Sequence, residues 1–204
     1  KGKERNALKQ YLSTKSEAGD RGISLLILAH LARMQGNTEE ALGHYRRAQE
    51  ISDKPSLIKH CHGLYLSSLG RQQEALGLLE EALEHAQSAD SRWLIFRNAI
   101  DIAVRLGDRE SLRDLYAKGR ELKIADSLSL VAEEAEALTS LGPLDAAESL
   151  WRQVIKSTNY KKDAYLRAIK ALGKILERKG EHKEAMGLYR ETLRRLPRDH
   201  WMRT

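Results

Sequence analysis

The chain has 204 residues, of which 41% are hydrophobic and 31% are charged, and its formal net charge is +6. This composition excludes a disordered chain, and no apolar run approaches the roughly 18–20 residues that a membrane span needs. Leu, Ala, Glu, Lys and Arg are frequent, whereas the chain has only 3 prolines and 1 phenylalanine. Because these residues favour helix over strand, the sequence predicts an all-α fold.

Glycines recur along the chain at intervals of 34 to 38 residues. Where the pattern is complete, an Ala follows the glycine after five residues and an aromatic residue follows after nine. The complete copies are Gly2, Ala7 and Tyr11; Gly36, Ala41 and Tyr45; Gly142, Ala147 and Trp151; and Gly180, Ala185 and Tyr189, with partial copies at Gly70 and Gly107. Chance would fill roughly 0.3 of the six aromatic positions, and five are filled.

Each of these glycines is predicted to end one helix in a left-handed conformation, and the next helix begins within a few residues. The side chain of Asn37 or Asp108 can then cap the helix that follows. The helices after the turns are amphipathic: Ala75, Leu79 and Leu83 share one face. The sequence therefore predicts a row of helix-turn-helix units.

The period and the signature positions resemble the tetratricopeptide repeat, a helix-turn-helix unit of 34 residues. First-helix positions also fit, among them Ala29, Gly63 and Gly173 as small residues that allow the helices to approach. Other positions depart from the pattern: His62 and Glu134 replace Leu, and Ala99-Ile100 replaces Leu-Gly. The resemblance implies a right-handed α-solenoid whose inner, concave wall consists of first helices.

In chain order, the resemblance gives a single array. It consists of the second half of a repeat (residues 1–21), five full repeats (about 22–55, 56–92, 93–127, 128–165 and 166–199) and the start of another at 200–204, after Pro197. Longer connections are expected at residues 88–91 and near Tyr160. We expect the chain to be a piece of a longer protein, and its ends, which lack a polar cap, are candidates for self-association.

The positive charge is concentrated near the C-terminus. Residues 151–204 contain 15 Lys and Arg against 6 Asp and Glu, whereas residues 101–150 contain 6 against 11. Steps of three and four residues place Arg167, Lys170, Lys174 and Arg178 on one face of a first helix. This face is either a solvated surface, partly neutralised by Glu177, Glu181 and Glu184, or a site for an acidic ligand.

In the tetratricopeptide family, ligands usually lie along the first helices, so the resemblance implies further partner-binding positions there. They are Leu26 and His30 in the first repeat, Leu57, His60 and Leu64 in the second, and Arg97 and Asp101 in the third; Glu136 and Thr139 face the same wall in the fourth. The leucines are either a partner groove or core. The lysine and asparagine clamp with which one subclass grips chaperone tails is absent, because no asparagine occupies the required position.

No arrangement of residues predicts catalysis, since the sequence has no glycine-rich phosphate loop, no serine elbow and no convergent carboxylates. His60, Cys61 and His62 contain metal-binding side chains, but neighbours on a helix point ~100° apart and at most two could reach one ion. We therefore predict no metal and no cofactor, and interpret Cys61 as a packing residue.

The predicted function is that of a non-enzymatic scaffold segment that binds a partner protein or peptide, in keeping with the family resemblance. By analogy alone, it could belong to a bacterial secretion or exopolysaccharide-export assembly. The alternatives are a nucleic-acid-binding solenoid, which the acidic middle repeats disfavour, and a sensor or regulatory domain attached to an effector outside this fragment. The sequence contains no readable targeting signal, so no compartment is predicted.

Overall fold

The computed structural model describes residues 18–159 and 163–195. The predicted half repeat is outside this part up to residue 17, as are Tyr160, Pro197 and the repeat start at 200–204. Within the described part there are ten helices and no strand, so the predicted all-α class is confirmed. None of these helices is long and apolar enough to cross a membrane.

The helices follow one another in pairs separated by short turns. In chain order they are α1 (Ala18–Met34), α2 (Thr38–Ile51), α3 (Pro55–Ser68), α4 (Gln72–Glu84), α5 (Ala89–Leu106), α6 (Arg109–Glu121), α7 (Ser127–Leu141), α8 (Leu144–Ser157), α9 (Asp163–Arg178) and α10 (His182–Arg195). The described residues form two compact units, of which the first ends at Leu106 and the second begins at Gly107. The boundary between the units falls between the two helices of the third predicted repeat.

Within each unit, every helix packs on its neighbours in sequence, α1 to α5 in the first and α6 to α10 in the second. Alternate helices also touch, α3 with α5 and α7 with α9. These are first helices of successive predicted repeats, so they lie side by side on one face of their unit. That arrangement positions the candidate site described below.

Five of the six predicted turn glycines lie among the described residues and have the predicted conformation, whereas Gly2 lies outside them. Gly36, Gly70, Gly107, Gly142 and Gly180 all have positive φ, between 70° and 98°. Asp108 caps α6, because its carboxylate accepts a hydrogen bond from the backbone N–H of Ser111 at 3.0 Å. Asn37 makes no such cap on α2 and donates instead to the carboxylate of Glu40.

Small residues let the paired helices come close. Ala41, Ala75 and Ala147 are fully buried. A methyl group added at Gly63 would lie 3.1 Å from the carbonyl oxygen of Ala75 and 3.2 Å from the side chain of Leu79. The predicted role of Gly63 in helix packing is therefore confirmed.

Aromatic residues nine positions after the turn fill the space beside these small residues. Tyr45, Tyr116 and Trp151 are all less than 3% exposed. Tyr189 on the last described helix is half-buried, and its phenol occupies the place that a side chain at Gly173 would need. The second unit has a continuous apolar core, and Trp151 belongs to it together with Ala147, Leu172 and Leu176.

The two polar residues that replace Leu in the repeat pattern are both buried, at 6% exposure for His62 and 8% for Glu134. Glu134 of α7 accepts a hydrogen bond from Arg120 of α6 at 2.7 Å, which compensates its charge. The ring of His62 stacks on Tyr45 at a centroid distance of 5.0 Å and an interplanar angle of 3°. Burial, with Arg46 and Arg71 nearby, lowers the pKa of His62 to about 4.

Substitution of Gly63 by Ala tests the close approach of α3 and α4. Ala has the higher helix propensity by about 1 kcal/mol, but at Gly63 this gain is opposed by the contact with α4. We expect Gly63→Ala to be less stable in urea unfolding than Gly43→Ala by ~1–2 kcal/mol. Gly43 is the matched control, because it is a helix residue whose added methyl would meet no atom within 4 Å. Equal stability of the two variants would contradict close packing at Gly63.

The buried imidazole of His62 predicts a loss of stability in acid. Since its pKa falls from an ordinary 6.5 to about 4 in the folded chain, its contribution is fully present above pH 6.5 and is lost as the pH falls towards 4. In this window the free energy of unfolding should drop by up to ~1.4 kcal/mol per pH unit from this group alone.

The measurement is urea unfolding at pH values between 7 and 4. We expect His62→Leu to weaken the pH dependence, whereas His85→Gln, which removes an exposed histidine of the same unit, should leave it unchanged. The same slope for wild type and His62→Leu would show that His62 titrates normally.

Candidate functional site

The four predicted basic residues of α9 lie on one exposed face. Arg167, Lys170, Lys174 and Arg178 line a cavity of about 470 Å³ together with Glu136, Thr139 and Ser140 of α7, Trp151 of α8 and Ala171. This cavity, which we call the basic cavity, is contained in the second unit. It lies where the first helices α7 and α9 run side by side.

The two arginines of the basic cavity are tied to α7. Arg167 forms an ion pair with the carboxylate of Glu136. Arg178 donates a hydrogen bond from Nη1 to the carbonyl oxygen of Thr139 at 3.1 Å. These contacts join α9 to α7 at two points and hold the arginines at the rim of the cavity.

The two lysines have no such partner. Within residues 18–159 and 163–195, neither Lys170 nor Lys174 makes an ion pair or a hydrogen bond, and both are exposed. They are one helical turn apart on α9, so their fields add at the mouth of the cavity. The basic cavity therefore presents two uncompensated positive charges.

The carboxylates that the sequence offered as neutralising partners are engaged elsewhere. Glu177 accepts a hydrogen bond from the phenol of Tyr189 at 3.1 Å. Glu181 pairs with Lys179 at 3.2 Å, and Glu184 pairs with Arg152 at 2.6 Å. The partners of these three carboxylates do not line the basic cavity.

The floor of the basic cavity is apolar, and its polar atoms are already satisfied. Trp151 is 2% exposed, and its indole N–H donates to Oγ1 of Thr139 at 3.3 Å. That hydroxyl in turn donates to the carbonyl oxygen of Ala135 at 2.6 Å. A ligand would thus find an aromatic and aliphatic floor beside the two lysine ammonium groups.

The remaining predicted partner-binding residues lie in the first unit, and some of them are buried whereas others are exposed. Leu26 is only 8% exposed and belongs to the core, and His30 is half-buried. Leu57 and Leu64 are exposed, at 42% and 40%. His60 is buried at 8% exposure, and its Nε2 lies 2.8 Å from Nδ2 of Asn98.

Some of these residues are brought together and others are not. Leu57 and His60 line a cavity of about 350 Å³ with Leu94. Arg97 instead lies over the ring of Trp93, 5.8 Å from its centroid. Asp101 pairs with Arg105 of the same helix at 2.6 Å, so its carboxylate is compensated locally.

Sequence reasoning did not connect Glu136, Thr139 and Trp151 to the basic residues. The resemblance assigns Glu136 and Thr139 to the inner wall in the fourth repeat, next to the basic residues of the fifth. This adjacency is the signal that could have predicted their contact. Trp151 enters the sequence analysis only as the aromatic residue nine positions after Gly142, so its sequence position gives no sign of a role in the cavity. Among the described residues, no three His, Cys, Asp or Glu side chains come together to hold a metal ion.

Comparisons with known proteins agree with this fold. Residues 168–200 match a family model described as a tetratricopeptide repeat. No curated protein matches the chain at a significant level.

Solved structures match over most of the chain. MamA from Desulfovibrio magneticus RS-1, residues 41 to the end, has 14% identity and a TM-score of 0.54, over 87% of this chain and 96% of that one. A putative kinesin light chain from Podosopora anserina with nearly identical TPR-like repeats has 19% identity and a TM-score of 0.53, over 87% and 95%.

A third structure is YrrB, described as a TPR protein with an unusual peptide-binding site. It has 18% identity and a TM-score of 0.51, with 84% of each chain covered. These likenesses in fold agree with the resemblance seen in the glycine period. The chain therefore has the all-α fold of tetratricopeptide-repeat proteins, and its segment 168–200 carries the tetratricopeptide signature in sequence.

Proposed function

We propose that this chain is a non-enzymatic protein-interaction module and that its second unit binds an acidic segment of a partner protein in the basic cavity. The observation that carries this proposal is the pair of exposed lysines, Lys170 and Lys174, which have no partner in the described part of the chain. Both lie beside a cavity whose floor is apolar.

Electrostatics favours a carboxylate-rich ligand. Two like charges one turn apart on a helix repel each other, and an Asp or Glu side chain placed between them removes that repulsion. The protein wall excludes water on one side, so attraction is stronger there than on an open surface. Ala171, which lines the cavity and is partly exposed, adds apolar contact for a neighbouring side chain of the ligand.

The likeness to YrrB supports this proposal in a general way, since that protein is described as having a peptide-binding site. The acidic middle of the chain disfavours nucleic acid, because residues 101–150 contain 11 Asp and Glu against 6 Lys and Arg and a long phosphate backbone would meet this negative charge. Nothing in the described residues singles out a secretion or exopolysaccharide-export assembly. The proposal is therefore confined to the chemistry of the ligand.

Reversal of the two lysine charges tests the proposal. We expect Lys170→Glu combined with Lys174→Glu to weaken binding of an Asp- and Glu-rich peptide at least tenfold, about 1.4 kcal/mol. For the wild type, affinity should fall as salt rises from 0.05 to 0.5 M, because the attraction is screened. Fluorescence anisotropy of a labelled acidic peptide measures both effects.

A double reversal elsewhere on the second unit serves as the control. Lys156→Glu with Lys183→Glu changes the net charge equally, and both lysines are exposed and do not line the basic cavity. This control should bind like the wild type apart from a small effect of total charge. Equal losses in the two double variants would contradict a local site, and the search for the site would move to the exposed Leu57 and Leu64. A nuclease-sensitive pull-down would favour the nucleic-acid alternative.

A further inference from the structure

A second polar cavity lies in the first unit, among α2, α3 and α4. It has a volume of about 340 Å³. It is lined by Arg46, His62, Leu66, Arg71, Glu74, Gly77, Leu78 and Glu81. Since the basic cavity belongs to the other unit, this cavity is independent of the function proposed above. We call it the His62 cavity.

His62 is a buried polar group with an unmet hydrogen-bonding requirement. Its side chain lines the cavity although the residue is only 6% exposed. Neither ring nitrogen has a hydrogen-bond partner in the described structure, and the surrounding residues close both off from solvent. A neutral imidazole carries one N–H donor and one acceptor, and buried donors in native proteins almost always have a partner.

Of the two arginines that line the His62 cavity, one is paired with a carboxylate and the other is not. Arg71 is bound to Glu74 by two hydrogen bonds, of 2.6 and 2.5 Å. Glu81 is paired with Lys59 at 2.6 Å. Arg46 of α2 has no ion pair or hydrogen bond within the part of the chain that the structure describes, and it lines the same cavity.

We propose that the His62 cavity binds a single carboxylate group, whose oxygens accept hydrogen bonds from the guanidinium of Arg46 and, once the imidazole turns towards the cavity, from a ring N–H of His62. One unpaired cation matches one negative charge. A phosphate dianion would bring its second charge close to Glu74 and Glu81, which line the same cavity. The volume suits an Asp or Glu side chain of a partner or a small free carboxylate, and it is too small for a helix.

Binding of a carboxylate is linked to the protonation of His62. In the free protein, burial and the charges of Arg46 and Arg71 lower its pKa to about 4, and Glu74 acts in the opposite direction. A bound carboxylate adds a negative charge beside the ring and so raises this pKa. By reciprocity, the ligand binds more tightly as the pH falls from 6 towards 5, where the carboxylate is still ionised, and the total gain is about tenfold for each unit by which binding raises the pKa of His62.

The test follows the ring signals of the histidines by NMR in the complete 204-residue chain, titrated with sodium acetate against sodium chloride at constant ionic strength. We expect a saturable shift of the His62 signal that chloride does not produce, and an increase in its apparent pKa of at least one unit. A rise in the thermal midpoint with acetate provides a second readout, because a ligand that binds only the folded chain stabilises it.

Variants assign the site. Arg46→Gln should lose the acetate response, and His62→Leu should lose the rise in thermal midpoint. Leu at position 62 also removes the unsatisfied ring nitrogens, so the fold is expected to persist. Arg47→Gln is the matched control, because Arg47 is the next residue on α2, is also exposed and does not line the His62 cavity.

Two further ligands distinguish the sources of the carboxylate. Tighter binding of a glutamate blocked at both backbone ends than of acetate supports a partner's side chain, and the reverse order supports a free carboxylate. Tighter binding of inorganic phosphate than of either would overturn the proposal. So would an unchanged His62 signal at 0.1 M acetate, which would indicate that the cavity holds water only, or equal responses of Arg46→Gln and Arg47→Gln.

Discussion

The close approach of paired helices is the constraint on which the rest of this structure depends. At Gly63, the backbone of α4 lies so near that an added methyl group would be 3.1 Å from the carbonyl oxygen of Ala75. When each second helix packs this closely on its first helix, successive first helices come into contact, as α7 and α9 do. Small residues inside the pairs therefore determine where exposed side chains of different repeats can meet. The basic cavity is one result, because its arginines reach Glu136 and Thr139 across that contact.

The two buried polar residues show that the neighbouring side chains decide whether such a residue is charged and hydrogen-bonded. Glu134 and His62 replace the same Leu of the repeat pattern in different repeats. For Glu134, the neighbouring helix supplies Arg120 at 2.7 Å, so the buried charge is compensated. For His62, the neighbours are the ring of Tyr45 and two arginines, which favour a neutral imidazole and leave its nitrogens without partners. Glu134 thus forms a structural ion pair, whereas His62 keeps two buried ring nitrogens without a hydrogen-bond partner beside a cavity.

The sequence predicted features that depend on local periodicity. The positive φ of the turn glycines and the shared face of Arg167, Lys170, Lys174 and Arg178 follow from spacing along a single helix or turn. Contacts between helices were not predictable in this way, because they depend on the angle and distance at which two helices cross. Leu26 and Leu57 illustrate this limit, since both were placed on the inner wall, yet one is 8% and the other 42% exposed. The pairing of Arg167 with Glu136 likewise needs the position of α7 relative to α9.

The distribution of ion pairs along α9 and its C-terminal turn supports the proposed binding site over a merely solvated basic surface. Lys179 is bound by Asp145 at 2.8 Å, Glu148 at 2.7 Å and Glu181 at 3.2 Å, and these carboxylates raise its pKa. Nine and five residues earlier, the side chains of Lys170 and Lys174 have no such partner among the described residues. If the charges of this region served only to keep the surface hydrated, acidic residues would be expected near all three lysines alike. Instead, carboxylates from three positions gather at Lys179, where they join α8 to the turn between α9 and α10. The cavity side of α9 keeps its positive charge. A surface with this asymmetry attracts an anion at one place, which is the property that a binding site requires.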